Sequence, residues 1–229
     1  PQIAEMLEKL EIKSTFVDGL RVTDANTVQI VEMVLAGNIN KQVAASINQA
    51  GGLAVGLSGK DGNLIRAKKI HRSKRDPDSN IENILDLGFV GEPEEISKDL
   101  LDVFQKTHII PVIAPIGTGA NGETFNINAD TAAGAIAAAM EAKRFLLLTD
   151  VTGVLDGSSK LIEHINTTEA SKLIKDGVVT GGMIPKLTTC LETVSKGVDA
   201  AVILDGRVAH SVLLELFTDQ GIGTLISQK

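Results

Sequence analysis

Segments with helical spacing and segments with strand-like spacing alternate along this chain, joined by short connections. Residues 1–10 place apolar side chains on one helical face, whereas residues 109–114 and 144–149 contain short apolar runs typical of buried strands. This alternation is the pattern of a parallel sheet packed against helices. We therefore predict an α/β fold with a mainly parallel sheet.

Capping residues predict where several helices begin and end. Thr23 is a candidate N-cap for a helix over 24–36, and Gly37 lies just past its end. Pro93 is placed to open a helix over 94–106, and Pro185 suits the first position of a helix that it begins. Further helices are predicted over 40–50, 129–141, 168–176, 185–196 and 208–217.

A β-hairpin is predicted over residues 53–67. Two strand-like runs there flank the pair Asp61-Gly62, and an Asp-Gly pair between strands is a strong hairpin signal. A polar stretch from 72 to 83 follows the hairpin. Further strands are predicted over 109–114, 144–149, 200–204 and 223–227.

Composition excludes several classes of function. The 229 residues suffice for one large α/β domain or two closely joined lobes. A net charge of −7 and the absence of Trp and Tyr argue against nucleic-acid binding, which needs a basic footprint and stacking aromatics. Cys190, the single cysteine, is interpreted as a buried apolar residue and fits a reducing, cytoplasmic compartment. No apolar run reaches membrane-spanning length, so no membrane partner is predicted.

Two glycine-containing segments look like nucleotide-binding loops but fail on context. Residues 117–122 match G-x-G-x-x-G, yet a dinucleotide-binding loop must open directly into a helix, and residues 123–128 alternate like a strand. Gly59-Lys60-Asp61 resembles the end of a P-loop. However, no glycine lies five residues before Gly59, and Asp61 replaces the Ser or Thr that would bind Mg²⁺. Neither loop is predicted to bind a cofactor.

Two asparagines share one face of a strand-like segment. In an extended chain Asn126 and Asn128 point the same way, while Phe125 and Ile127 face the core. Asn128 also suits the N-cap of the Ala-rich helix that follows, with Asp130 in its first turn. A capped helix explains Asn128 by itself, whereas two amides at the carboxyl end of a strand also suit ligand binding in an open α/β sheet. Both interpretations stay open.

The second half of the chain carries candidate phosphate-binding groups. Asp150 ends the strand predicted over 144–149, at the site-forming edge of a sheet, although a lone Asp there also serves as a turn former. Gly181 and Gly182 lead into a helix N-terminus that has Lys186 in its first turn. A lysine there opposes the helix dipole by about 0.3–1 kcal/mol. We interpret the two glycines, the helix N-terminus and the lysine together as a phosphate site.

Arg21 lies just before the helix predicted over 24–36. Its planar guanidinium suits two-point recognition of a carboxylate, although a surface arginine is the simpler interpretation of this residue in isolation.

Five segments taken together resemble the amino-acid kinase family, and within it the acetylglutamate branch. They occur in the order found in that branch and span nearly the whole chain. The last three are shared widely in the family, whereas the first two are typical of the acetylglutamate branch. The segments are GLRVT at 19–23, VGLSGKDG at 55–62, NINAD at 126–130, LTDVTGV at 148–154 and GGMIPK at 181–186.

The resemblance implies a three-layer α/β sandwich with a central, mainly parallel sheet, like that of carbamate kinase. It implies an acceptor-binding N-terminal lobe over 1–143 and an ATP-binding C-terminal lobe over 144–229. The implied activity, with ATP and Mg²⁺, is transfer of the γ-phosphoryl group to the side-chain carboxylate of N-acetyl-L-glutamate, in arginine biosynthesis. The resemblance also makes the loop around 58–63 a lid on the acceptor.

Roles for individual residues also come from the resemblance. Lys186 would stabilise the transferring phosphoryl group, and Asp130 would hold the catalytic lysines in place. Acceptor binding falls to Arg21, Asn126 and Asn128. Nucleotide binding falls to Asp150, Gly181, Gly182 and Met183.

The C-terminal stretch resembles the form found in arginine-inhibited members of the branch. Counterparts of His210, Glu215 and Gly221 surround L-arginine there, although a capping helix and edge strand explain the same residues. The resemblance implies a homo-oligomer, either a dimer or a hexamer. Two alternatives stay open: another member of the same family, or a non-catalytic regulatory or ligand-binding fragment of this fold.

The sequence begins inside an amphipathic segment that, in this family, directly follows a Gly-rich turn. An earlier strand of the family carries a second catalytic lysine. We therefore predict that a segment upstream of residue 1 would contain a short strand bearing a lysine, a helix, and a second strand ending in a Gly-rich turn.

Overall fold

The computed structural model of the protein describes residues 2–12, 15–17, 20–75, 82–219 and 221–228. Contacts divide the chain into two compact units, unit 1 (Pro1–Ala132) and unit 2 (Ala133–Lys229). The lobe boundary predicted near residue 143 marks the end of the Ala-rich helix, whereas the division by contacts falls inside that helix.

Unit 1 combines helices with three small sheets. Its helices are α1 (Gln2–Lys9), α2 (Ala25–Glu32), a π-helical segment (Met33–Ile39), α3 (Asn40–Gln49), α4 (Lys98–Gln105) and the start of α5 (Ala129–Ala139). β1 (Phe16–Val17) and β2 (Leu20–Arg21) form an antiparallel pair, and β3 (Ala54–Ser58) pairs in parallel with β6 (Ile110–Ala114). A closed four-stranded sheet contains β4 (Ile65–Arg75), β5 (Glu82–Ile96), β8 (Thr124–Ile127) and β7 (Ile116–Thr118).

The helix that follows Arg21 is longer than predicted. α2 runs through the π-helical segment directly into α3, so Gly37 lies inside the helix and the predicted helix end at that residue is wrong. The side chain of Asn40 is only 3% exposed and donates hydrogen bonds to the carbonyls of Leu57 (3.0 Å) and Val112 (2.7 Å). This tertiary contact outweighs the local helix-ending tendency of glycine.

Asp24, and not Thr23, caps the N-terminus of α2. The Asp24 carboxylate accepts a hydrogen bond from the Thr27 N–H at 2.7 Å. Thr23 instead forms an isolated bridge with β5, because its N–H donates to the Leu87 carbonyl and its own carbonyl accepts from the Phe89 N–H. The predicted cap was therefore one residue early.

The hairpin predicted over residues 53–67 is wrong. β3 pairs with β6, and β4 pairs with β5, so the two predicted arms belong to different sheets. Between them the chain makes a short 3-10 turn at Asp61–Asn63, where the Asp61 carboxylate accepts hydrogen bonds from the N–H (2.6 Å) and hydroxyl (3.0 Å) of Ser58. The Asp-Gly pair therefore leads the chain from one sheet to another. The lid on the acceptor was expected to be a hairpin around 58–63, and these residues do not form one.

Pro93 lies within β5, and α4 begins later, after Ser97. Pro93 pairs with Ala67 next to an irregularity in the β4–β5 register. Proline lacks the N–H that a regular ladder needs, so a bulge accommodates it. The polar stretch predicted over 72–83 contains the end of β4 and the start of β5, and its middle lies outside the described residues.

Unit 2 is built on a four-stranded sheet in the order β10-β12-β11-β9. β9 and β11 are parallel, and β12 is antiparallel to β11. The strands are β9 (Arg144–Thr149), β10 (His164–Asn166), β11 (Ala200–Asp205) and β12 (Thr224–Ser227). The remaining helices are α6 (Thr167–Lys175), α7 (Met183–Ser195) and α8 (Ser211–Phe217).

β11 is buried along its whole length. Successive strand residues point to opposite faces of a sheet, so both faces of β11 are covered. The core beside it includes Cys190 of α7, which is fully buried as predicted.

α7 begins at Met183, so Pro185 occupies its third position and not its first. Proline is tolerated there because the first N–H groups of a helix have no intrahelical partner.

Candidate active site

Arg21 is positioned by the short β1–β2 hairpin. Phe16 pairs with Arg21 across this hairpin, and the Arg21 guanidinium carbon lies 4.5 Å from the centre of the Phe16 ring. This distance corresponds to a cation–π contact. Partial burial lowers the pKa of Arg21 below its ordinary value, but an arginine stays charged at neutral pH. The contact fixes the direction of a permanent cation just before α2.

A β-ladder connects the Arg21 segment to Asn126. Thr23 bridges to Gly88 of β5, and Val90, two residues further along β5, pairs with Asn126 of β8. Two residues of extended chain span about 7 Å. The backbone that follows Arg21 and the backbone of Asn126 therefore flank the same short stretch of β5.

Thr23 can approach β5 closely because residue 88 is a glycine. Sequence reasoning did not identify Gly88. Its φ is +73°, and a Cβ atom there would overlap the Thr23 carbonyl. An isolated glycine inside a strand pattern is the signal that could have identified it, because such a glycine often marks a close backbone approach.

Asn126 and Asn128 lie where the sequence predicted them. Phe125 and Ile127 are buried, at 6% and 3% exposure, so Asn126 faces away from that core. The Asn128 side-chain oxygen accepts a hydrogen bond from the Thr131 N–H at 3.1 Å, which confirms its N-cap role. Asp130 follows in the first turn of α5. The Thr131 hydroxyl also donates to this oxygen, at 3.4 Å, so a ligand would be met by the Asn128 amide nitrogen, which is a donor.

Lys60 links two elements beside this region. Its ammonium donates to the Glu32 carboxylate of α2 and to the Thr124 hydroxyl of β8, both at 2.9 Å. The lysine of the P-loop-like segment thus supports the packing of α2 near β8.

The G-x-G-x-x-G segment forms the β7–β8 turn, where the Gly119 N–H donates to the Glu123 carbonyl, and it leads into a strand. The prediction that a strand, and not a helix, follows this segment is confirmed.

In unit 2, the parallel strands β9 and β11 end side by side. Thr149 pairs with Asp205, and the Gly206 N–H donates to the Thr149 carbonyl at 2.9 Å. Asp150 is exposed and directly follows β9. The carboxyl ends of parallel strands are where open α/β sheets bind ligands.

α7 brings the Gly181-Gly182 segment to this same edge. Residues 196–199, which join α7 to β11, span at most about 14 Å, so α7 packs antiparallel to β11. Thirteen helical residues and six strand residues each span about 20 Å. The N-terminus of α7 therefore lies level with Asp205, at the carboxyl end of β11.

The two glycines before α7 are not required by their protein neighbours. A Cβ atom on Gly181 or Gly182 would meet no atom within 4 Å, and Gly182 has an ordinary φ of −66°. Gly181 has a φ of +57°, which favours glycine. The open space beside both residues leaves room for a ligand to approach the backbone at a helix N-terminus. Met183 and Lys186 occupy the first and fourth positions of that helix.

Sequence reasoning missed a charged pair at this edge. The Arg207 side chain donates to both oxygens of Asp205, from Nε at 2.9 Å and from Nη2 at 2.8 Å. These bonds lower the pKa of Asp205 to about 2. The same bonds raise the pKa of Arg207, and attraction to Asp150 adds a smaller contribution. Asp205, like Asp150, lies at the carboxyl end of a strand and precedes a turn, and that shared pattern could have identified it.

A separate cavity of about 390 Å³ in unit 2 is bordered by Glu215 and Gly221. Glu215 is 9% exposed and accepts hydrogen bonds from the N–H groups of Ile222 (2.9 Å) and Gly223 (3.2 Å). A Cβ atom on Gly221, where φ is +61°, would lie 2.7 Å from the Glu215 carboxylate. The structure thus brings two of the three predicted effector residues together at one cavity. His210 is the N-cap residue of α8 and does not line it.

The family of the chain follows from comparison with known proteins. The model of the amino acid kinase family matches residues 1–205. The chain belongs to the amino acid kinase family, and the fold class predicted from the resemblance is confirmed.

Two curated relatives are named acetylglutamate kinase. The protein of Parvibaculum lavamentivorans is 66% identical over 228 residues, which cover 100% of this chain and 75% of that protein. The protein of Rhodospirillum centenum is 65% identical over 229 residues, with the same coverage. The chain thus spans about three quarters of the length of these relatives.

Solved structures share the fold. The smu.665 protein of Streptococcus mutans is 29% identical, with a TM-score of 0.79 over 100% of this chain and 82% of that chain. Carbamate kinase from Giardia lamblia bound to AMP-PNP is 16% identical, with a TM-score of 0.60 over 88% of this chain and 75% of that chain, and shows the fold alone.

Two features are absent from the described residues. They contain no helix long and apolar enough to cross a membrane. In the same part of the chain, no group of three or more His, Cys, Asp or Glu side chains is arranged to hold a metal ion.

Proposed function

We propose that this protein is an N-acetyl-L-glutamate kinase. It transfers the γ-phosphoryl group of ATP to the side-chain carboxylate of N-acetyl-L-glutamate, and the product is an acyl phosphate of arginine biosynthesis. The observation that carries the proposal is identity of 60–66% to acetylglutamate kinases over 99–100% of this chain. The same proposal includes a cytoplasmic location and a homo-oligomer, either a dimer or a hexamer.

Unit 1 supplies the acceptor-binding residues in this proposal. Arg21, held by the Phe16 ring, binds the α-carboxylate through its guanidinium fork. Asn126 binds the acetylglutamate molecule and Asn128 lies beside it. The ladder through β5 supports this assignment because it pairs the Arg21 segment and Asn126 with β5 residues that are two positions apart.

Unit 2 supplies the nucleotide-binding residues. Asp150 and the segment Gly181, Gly182 and Met183 line the nucleotide site at the carboxyl edge of β9 and β11. Lys186 stabilises negative charge on the transferring phosphoryl group, and Asp130 keeps the role in positioning catalytic lysines that the resemblance implies. The acceptor carboxylate is already ionised, so the reaction needs alignment and charge neutralisation but no catalytic base. A second lysine on an upstream strand stays a prediction.

Mg²⁺ fits this site as a companion of ATP. Mg²⁺ retains several waters and binds through one or two carboxylates together with substrate phosphates. The described residues hold no cluster of three metal-binding side chains, whereas Asp150 presents one exposed carboxylate at the edge of the sheet. When bound, Mg²⁺ supplies positive charge to the phosphates.

An acceptor panel tests the proposed activity. ADP release is measured with acetylglutamate, glutamate, aspartate, carbamate and UMP, and hydroxylamine traps any acyl phosphate as a hydroxamate. We expect ADP release and hydroxamate formation with acetylglutamate alone. ADP release with another acceptor, or release from acetylglutamate without hydroxamate, contradicts the proposal. No transfer to any acceptor would favour a non-catalytic ligand-binding role.

We also propose that L-arginine binds at the cavity beside Glu215 and Gly221. The buried Glu215 carboxylate supports this because it complements a guanidinium or an amino group. Titration calorimetry tests it, with Glu192→Gln on the exposed surface of α7 as the matched control for Glu215→Gln. Tight binding by wild type and the control, weakened in Glu215→Gln, is expected. Absence of binding at millimolar arginine removes this proposal.

A further inference from the structure

Asp205 and Arg207 form an ion pair in which the two side chains differ strongly in solvent exposure. The Asp205 side chain is only 10% exposed, whereas the Arg207 side chain is 68% exposed. The Arg207 N–H and the side-chain Nε both donate to one carboxylate oxygen at 2.9 Å, and Nη2 donates to the other at 2.8 Å. Two guanidinium hydrogen bonds and one backbone hydrogen bond thus hold Arg207 on a buried carboxylate, with the outer side of the guanidinium in solvent.

The pair lies at the edge where the two parallel strands end. Asp205 is the last residue of β11, and its ladder partner is Thr149, the last residue of β9. Asp150 follows immediately and contributes to the raised pKa of Arg207 by charge attraction. No ion pair within 4 Å joins Asp150 to Arg207 in the described chain, so a gap separates the two groups.

Arg207 retains donor capacity that the protein does not use. A guanidinium has five N–H donors, and Asp205 takes only those on Nε and Nη2. Nη1 has no acceptor among the described residues. The pair as a whole carries no net charge, so it acts on a ligand through a directed donor and not through a long-range field. A fixed guanidinium with outward donors suits phosphate oxygens, which bind arginine in a fork geometry.

We propose that Arg207 contacts the phosphate chain of the bound nucleotide through Nη1 and determines affinity for phosphorylated nucleosides. Asp205 is a positioning residue in this arrangement because it acts only through Arg207. The inference rests on the proposed nucleotide site of unit 2, and it adds a residue on the strand next to Asp150.

A purely structural role is the competing explanation. The pair also closes the turn after β11, where the Val208 N–H donates to the Asp205 carbonyl. A structural clamp predicts that Arg207 variants lose thermal stability and bind every nucleoside with the same affinity as wild type. A phosphate contact predicts a loss that depends on the number of phosphates in the ligand.

The experiment compares the affinities of ADP and adenosine by titration calorimetry in the purified protein. The variants are Arg207→Met and Arg207→Lys, with Lys196→Met as the matched control at the opposite end of α7. Loss of one charge-assisted hydrogen bond corresponds to roughly a 10- to 100-fold rise in Kd. We expect that rise for ADP in Arg207→Met, with adenosine within about threefold of wild type and the control unchanged.

The Arg207→Lys variant controls for the possibility that Arg207→Met fails to fold. Lysine keeps a positive charge beside Asp205 but has no second donor group to reach outward, so we expect a melting temperature near wild type and weak ADP binding. Equal ADP affinity in wild type and in a folded Arg207→Lys variant overturns the inference alone. Equal losses for ADP and adenosine overturn it as well. Failure of the wild-type protein to bind ADP overturns both the inference and the proposed function.

Discussion

Asn40 occupies the space in which a side chain at Gly56 would have to lie. A Cβ atom on Gly56 would overlap the Asn40 amide oxygen, while the amide nitrogen donates to carbonyls on β3 and β6. The middle of the α2–α3 helix is therefore fastened to both strands of the parallel pair in unit 1. Gly56 is required by this contact although it lies within a strand, where glycine is otherwise unfavourable.

Gly56→Ala should destabilise the protein by about 1–3 kcal/mol, the usual cost of overpacking a close contact. The matched control is Gly157→Ala. A Cβ atom on Gly157 would meet nothing within 4 Å, and the residue does not have a positive φ. Urea denaturation measures both free energies of unfolding. Similar values for the two variants would show that Asn40 moves aside at little cost.

Lys186→Ala should lower kcat by about 10²–10³, the scale for removing one preorganised charge-stabilising donor. The KM for acetylglutamate should change little because the lysine belongs to the nucleotide-binding unit. Lys196→Ala, at the exposed C-cap of α7, is the control and should keep wild-type turnover. A kcat for Lys186→Ala within a few-fold of wild type would remove this residue from the mechanism.

Arg21→Lys should raise the KM for acetylglutamate strongly and leave the KM for ATP almost unchanged. Lysine keeps a charge over the Phe16 ring, so the hairpin is preserved, but it cannot form the bidentate fork to a carboxylate. Steady-state kinetics with each substrate varied in turn separates the two constants. Equal changes in both constants would indicate misfolding and contradict a specific role at the acceptor.

The Asp205–Arg207 pair should contribute to stability over a defined pH range. The pKa of Asp205 falls from its ordinary value of 3.8 to about 2 in the folded protein. The contribution is therefore fully present above the ordinary value and is lost as pH falls toward about 2. Melting temperatures of wild type and Asp205→Asn should differ by a constant amount between about pH 7 and pH 5 and converge below about pH 4. A constant difference down to pH 3 would mean that the carboxylate is not stabilised in its ionised form.

Local patterns in the sequence predicted the elements that depend on local signals. The strand over 144–149, the Ala-rich helix with Asn128 as its cap, and the buried Cys190 all agree with the structure. Periodicity and capping are properties of neighbouring residues, so a single sequence contains them.

Errors arose where distant residues decide the structure. Gly37 did not end a helix because Asn40 binds two strands further along the chain. The Asp61-Gly62 turn did not make a hairpin because β3 finds its partner about fifty residues later, at β6. Register between distant strands cannot be inferred from turn residues when both flanking runs have other partners. Gly88 and Arg207 were missed for the same reason, since their importance depends on the strands beside them.

α7 and β11 are equal in length, so the length of α7 determines whether its N-terminus lies level with Asp205. Removing one residue from α7 would shorten it by about 1.5 Å and rotate every residue before the deletion by about 100° relative to those after it. Gly181 and Gly182 would then leave the level of Asp205, and Lys186 would turn to another side of the helix, although no residue at the sheet edge had changed. Evolution can therefore vary the side chains of α7 freely on its exposed face, but it cannot vary the number of its residues.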